Sequence, residues 1–259
     1  MEQRRRLDLA VDGPGEVRVS QIASTRRIRA GEIQNLVPFD RAPGVRNWLE
    51  DCGRPVIAQL PGVDPDWSGG WSRAAENVRY IWARILERVV WQRHGGAFMV
   101  MPTDRLDGLV DCRFRLEGFD LSQYLQAFWL ACYQVAVEST PGADRRSQRE
   151  RGLLDGQLSA AASFANVDGC VVLRRDLQVI GFGGRILVSD DEAERGTPGP
   201  DLPLGTHLGG NRHQSALRLC KAVPNSLALV ISQDGDLSVF DNAENKVQWS
   251  PNLVPDNWL

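Results

Sequence analysis

Residues 209–218, GGNRHQSALR, gather the groups that hold a phosphate. Gly209 and Gly210 let the backbone approach a ligand closely, Asn211 can cap a helix, and Arg212 and His213 follow in its first turn. Free backbone N–H groups, the helix dipole and a guanidinium there suit an anion. The same letters also describe an ordinary capped helix with a solvated arginine, and the pattern alone leaves the two readings level. Asp168-Gly169-Cys170 opens an apolar run. A carboxylate beside a glycine can ligate Mg²⁺ while the glycine lets a base or ribose lie close, and it is equally the composition of a plain turn. GFGGR (181–185) lacks the glycine spacing of a dinucleotide fingerprint and runs on into ILVSD, so it reads as a bulge or tight turn. Cys52, Cys112, Cys132, Cys170 and Cys220 stand singly, with no metal-ligand spacing to His94, His207 or His213. They read as small buried hydrophobes in a reducing, cytoplasmic setting, not as a zinc site or disulfide framework.

The elements that must position these residues follow from periodicity. Val78, Ile81, Trp82, Ile85 and Val89 fall on one stripe, which predicts a helix over 72–93 ended by His94-Gly95-Gly96. Residues 61–71 read as a loop, and AFMVMP (97–102) as a buried strand. Asp120 caps a helix over 120–138, with Gln123 three positions on. A charged first half and an apolar second half predict a helix over 145–165, its charge run a solvated face. Beyond Asn166 the texture turns to strands: VDGCVVLR, LQVIGFGGRILV, then SLALVIS and LSVF around Gln233-Asp234-Gly235-Asp236, a hairpin signal. The long connection 189–210 is functional or mobile by its length, and a helix covers 211–221. Nearer the start, GEVRVSQIA and EIQNLVPF alternate as strands, and 41–55 reads as a short helix.

These patterns set the fold class: α/β, a mixed central sheet flanked by helices, with a smaller N-terminal α+β segment. The expected division is an N-terminal segment over 1–70, a main domain over 72–245 and a C-terminal tail over 246–259. The chain has 259 residues, 30 Lys+Arg against 33 Asp+Glu, and 42% hydrophobic residues. That composition argues for a globular chain and against disorder or coiled coil. The near-neutral balance argues against a bulk nucleic-acid binder. No apolar run approaches the roughly 20 residues that span a bilayer, and the basic first residues lack the apolar stretch of a secretory signal. A cytoplasmic protein without a membrane partner is expected.

The ordered motifs together resemble the diadenylate cyclase domain family, in particular its DACNV-type branch of nucleotide sensors. The resemblance covers roughly 72–245, from HGGAFMVMP onward, with its motifs concentrated in 167–240. Asp168-Gly169 falls on the family's Asp-Gly-Ala, with Cys170 in place of Ala. Arg212, His213 and Ser215-Ala216 fall on its Gly-Thr-Arg-His-Arg-[Thr/Ser]-Ala motif. Three positions depart: Asn211 replaces Thr, Gln214 replaces the second Arg, and Ser232-Gln233 replaces Ser-Glu.

The resemblance implies a nucleotide site lined by Asp168, Gly169, Cys170, Gly210, Asn211, Arg212, His213, Gln214 and Ser215. Asp168 would be the metal contact where a Mg²⁺ or Mn²⁺ nucleotide binds. Condensing two ATP molecules requires charge neutralisation by metal ions and arginines, and Gln214 and Gln233 each remove a charge. The expectation is a signalling sensor that binds a nucleotide or cyclic dinucleotide without turnover and needs no cofactor. The alternative is an active diadenylate cyclase using Mg²⁺ or Mn²⁺, with Asp168 catalytic. A homo-oligomer or an effector protein would receive the signal, as in bacterial defence.

Overall fold

The computed structural model of the chain describes residues 8–13, 16–21, 24–29, 32–38, 45, 47–49, 68–102, 106–138, 142–200, 208–243 and 246–254. Its centre is a mixed seven-stranded sheet, so the fold is α/β as the periodicities require. The middle strands are β5 (Gly96–Met101), β7 (Cys170–Arg174) and β9 (Leu227–Ile231). Every residue of β5 and β9 is buried, as continuous apolar runs covered on both faces must be. β5 runs parallel to β7, with Phe98 beside Val171, and antiparallel to β9, with Gly96 beside Ile231. β10 (Leu237–Ala243) and β11 (Lys246–Val254) extend the β9 side. β8 (Val179–Ile186) and β6 (Val110–Arg115) extend the β7 side.

Four antiparallel strands precede this core: β1 (Asp8–Gly13), β2 (Glu16–Gln21), β3 (Ser24–Arg29) and β4 (Glu32–Pro38). β4 joins them to the main sheet by pairing parallel with the end of β11, Val37 beside Leu253. The full order is β1-β2-β3-β4-β11-β10-β9-β5-β7-β8-β6. Only β2 and β4 were expected here. Residues 246–254, set apart in the sequence as part of a tail, form β11.

Strand alternation sends neighbouring side chains to opposite faces. Phe98, Val100, Leu229 and Ile231 join one core with α1 (Ser68–Gln92), α2 (Leu121–Glu138) and α3 (Ala143–Phe164). Val78, Ile81, Trp82, Ile85 and Val89 are the buried stripe of α1, as their spacing predicts. That helix begins at Ser68, inside the stretch read as a loop, while 61–67 lie outside the described residues. Asp120 caps α2: its Oδ1 accepts from the Ser122 N–H at 2.8 Å, and Gln123 Nε2 donates to its Oδ2 at 3.2 Å. The expected helix over 41–55 is helical at 45 and 47–49, with Trp48 buried against Trp82 at 5.0 Å.

The opposite face buries Ala97, Met99, Cys170, Val172, Val230 and Phe240 under Ala216, Leu219 and Cys220 of α5 (Asn211–Ala222). The connection 189–210 is not wholly loop. It carries α4 (Asp190–Arg195), with a capping box between Ser189 and Glu192. Lys221 Nζ meets Glu194 at 2.9 Å, and the Thr197 N–H donates to the Lys221 carbonyl at 2.7 Å. Residues 201–207 lie outside the described residues. No described helix is long and apolar enough to cross a membrane.

Candidate functional site

One rim of the sheet, across the ends of its central strands, collects four strand ends. Because β5 and β7 are parallel, their first residues, Gly96 and Cys170, emerge together. β9 ends there at Ile231, and β10 starts there at Leu237, opposite Ile231. The start of α5 reaches the same edge, since Arg212 Nη1 lies 3.0 Å from the position a Cβ on Gly95 would take. The Asp168 and Arg212 segments, which lie 44 positions apart, are therefore brought to one end of the sheet.

Gly210, not Asn211, occupies the cap position of α5, and no side chain caps the helix. Asn211 is instead the first helical residue and is exposed. The His213 and Gln214 N–H groups both donate to the Gly210 carbonyl. The Asn211 and Arg212 N–H groups precede any intrahelical acceptor and point out of the helix end.

Arg212 is half-buried and makes no hydrogen bond or ion pair with any described residue. By contrast Arg84, Arg88, Arg174 and Arg218 meet Glu87, Asp155, Asp176 and Asp190. His213 packs its ring against Gly209, whose φ of +91° a side chain would strain, and edge-on to Phe240 at 6.2 Å. Burial holds the His213 pKa below the usual imidazole value, Asp236 opposes that shift and Arg212 adds to it. His213 is therefore a neutral ring at pH 7. Gln214 is exposed. Ser215 is half-buried and accepts from Arg218 Nη2 at 3.3 Å, one turn inside the helix.

Just before the neighbouring strand β7, Asp168 is exposed and has no hydrogen-bond partner among the described residues. Gly169 has φ +113°, and a Cβ there would lie 2.7 Å from the Gly184 carbonyl oxygen. β7 is pressed onto β8 at this point, where the β7–β8 register shifts twice. GFGGR is thus a bulged strand segment. Cys170 turns inward: it is 3% exposed, sits beside Gly184, and burial pushes its thiol up to about 12. It walls the core beneath the edge, not an open cleft.

The structure adds two groups that sequence reasoning did not single out for the site. Gly95, buried with φ +65°, is the backbone against which Arg212 rests, and the Gln233 amide nitrogen lies 3.0 Å from the same Cβ position. The signal for Gly95 was present as the helix stop His94-Gly95-Gly96. The arrangement can hold an anion through one guanidinium and several N–H donors. It does not fit a protein-held divalent cation: no group of three His, Cys, Asp or Glu among the described residues could bind one.

No protein-family model matches the chain, and no curated protein matches it. Among solved structures it is similar to a hypothetical membrane-spanning protein from Bacillus cereus. The two are 14% identical over 80% of this chain and 91% of that one, with a TM-score of 0.35. A likeness at that level carries no argument about function.

Proposed function

We propose that this chain is a cytoplasmic sensor that binds a nucleotide or cyclic dinucleotide at the Asp168–Arg212 edge, on a catalytically degenerate diadenylate cyclase-like domain. The observation that carries the reading is Arg212. A partly exposed arginine without a partner among the described residues, beside the uncapped start of a helix, leaves its donors open to water or to a ligand. A phosphate or phosphodiester would satisfy it, since such groups take charge-assisted bonds from guanidinium and helix-end N–H groups together. Asp168, exposed on the adjacent strand end, faces solvent where a ribose hydroxyl or a nucleotide-bound metal would lie. Free thiols at Cys112, Cys132, Cys170 and Cys220 suit a reducing compartment.

Turnover is not expected. Gln214 and Gln233 are both exposed and uncharged, so neither can neutralise a leaving pyrophosphate or hold a metal. A thermal-shift panel of ATP, GTP and cyclic dinucleotides tests the binding, and product analysis with ATP and Mn²⁺ tests the chemistry. We expect a concentration-dependent rise in Tm with at least one of these ligands and no cyclic di-AMP. No shift anywhere in the panel would overturn the sensor reading. Linear accumulation of cyclic di-AMP, abolished by Asp168→Asn, would replace it with the cyclase.

A further inference from the structure

We infer that Gly95 is a positioning residue of this site, the seat on which the Arg212 guanidinium is held; the inference rests on the nucleotide-binding reading above. Gly95 joins α1 to β5 in the left-handed region, with φ +65°. A Cβ there would lie 2.8 Å from the Ile231 carbonyl oxygen, 3.0 Å from Arg212 Nη1 and 3.0 Å from the Gln233 amide nitrogen. Two of those three neighbours are backbone atoms of the β9 end and cannot easily yield. The third is the tip of a long side chain, so a methyl group at position 95 drives Arg212 away.

The bare glycine has a chemical consequence. An arginine at the surface keeps most of its rotamer freedom and loses it on binding. Laid against the Gly95 backbone, the guanidinium has fewer conformations to lose when a ligand arrives. The Gln233 N–H, which has no backbone acceptor among the described residues, sits beside that fork at the same point. An anion there meets a charged fork and an amide together. Gln233 contributes through its main chain, so the identity of its side chain matters less than the conformation of its turn. That turn is fixed independently: the Ser232 N–H donates to the Asp236 carbonyl, and the Asp236 N–H donates to Ser232 Oγ at 3.0 Å.

The test uses the full chain and two readouts. Affinity for cyclic di-AMP and ATP is measured for the wild type, Gly95→Ala, Arg212→Ala and the double variant. Gly95→Ala should weaken binding of the recognised nucleotide at least about tenfold, as losing one charge-assisted contact does, and should add less than about twofold in the Arg212→Ala background. Its loss of thermal stability should be the same in both backgrounds. Phenylglyoxal modification of Arg212, followed by mass spectrometry, reads the seat without any nucleotide and should be several-fold faster in Gly95→Ala. Should that variant fail to fold, Arg212→Lys, which keeps the charge but not the fork, should bind at least about tenfold more weakly. Wild-type affinity in Gly95→Ala or Arg212→Lys, or an unchanged modification rate, would overturn the role of Gly95. A wild type that binds neither probe, with Arg212 still released by Gly95→Ala, would overturn the nucleotide reading and leave the seat standing.

Discussion

His213 shows how one residue at the site ties ligand chemistry to stability. Its pKa is held below the usual imidazole value, first by burial. An unfolded chain takes up the proton near pH 6.5, while folded His213 does so only at lower pH. Between those points the unfolded state holds more protons, so acidification through that window favours unfolding. Urea melts at pH 7.5 and 5.5 should therefore show a loss of stability on acidification that is smaller in His213→Gln. An identical loss in both proteins would contradict a depressed His213. At this scale the sequence was informative but incomplete. Arg212 and His213 were visible because an arginine and a histidine at a glycine-flanked helix start are suited to an anion, although the same pattern fits an ordinary helix start. Gly95 was legible only as a helix stop, because its role lies in a contact with Arg212, 117 positions further along the chain, and no local pattern records such a contact. Cys170 is the small buried hydrophobe its type suggests and faces the core, so it does not line the site as the motif resemblance implied.

At the scale of elements, the position of α5 sets the position of the site, and Asn242 sets the far end of α5. Its side chain is buried on β10, where Nδ2 donates to Thr197 Oγ1 at 2.9 Å and to the Cys220 and Val223 carbonyls. It therefore serves carbonyls that the end of a helix leaves without partners. Asn242→Ala would leave the buried Cys220 carbonyl without this donor, while the Val223 carbonyl keeps the Ser226 hydroxyl and N–H, and should cost about 2–3 kcal/mol. That corresponds to a fall in Tm of roughly 5–10 °C for a chain of this size, read by differential scanning calorimetry. A fall under about 2 °C would show that these bonds do not anchor the helix. The central helices were legible from their stripes because α1, α2 and α3 each bury one face. α4 was not recognised although Ser189-Asp190-Asp191-Glu192 is a capping-box sequence, because the surrounding glycines and prolines read as loop. β6 was likewise missed: its burial alternates only over Val110, Asp111 and Cys112 before three exposed residues.

For the whole molecule, the sheet order explains why segments far apart in the chain share one edge. β5 and β7 are adjacent and parallel, so the starts of both must emerge together, and the antiparallel β9 must end between the same limits. The α/β class followed from runs such as AFMVMP and SLALVIS, whose continuous apolarity requires cover on both faces. The role of β11 could not be read so easily. KVQWSPNLV contains a proline and polar residues, yet Val247 and Val254 are fully buried and Trp249 lies over Phe240. Its place is fixed by pairing with β10 and β4, which is a tertiary fact with little local signal. The same topology makes the central claim testable with a single comparison. Arg212 lies at the site edge, whereas Arg146 is exposed in the first turn of α3. Isothermal titration of the nucleotide that raises Tm should give a Kd at least about tenfold weaker for Arg212→Ala, the minimum expected when one partner of a desolvated charge pair is lost. Arg146→Ala should bind as the wild type does. Equal affinity in Arg212→Ala and the wild type would contradict the assignment of the site.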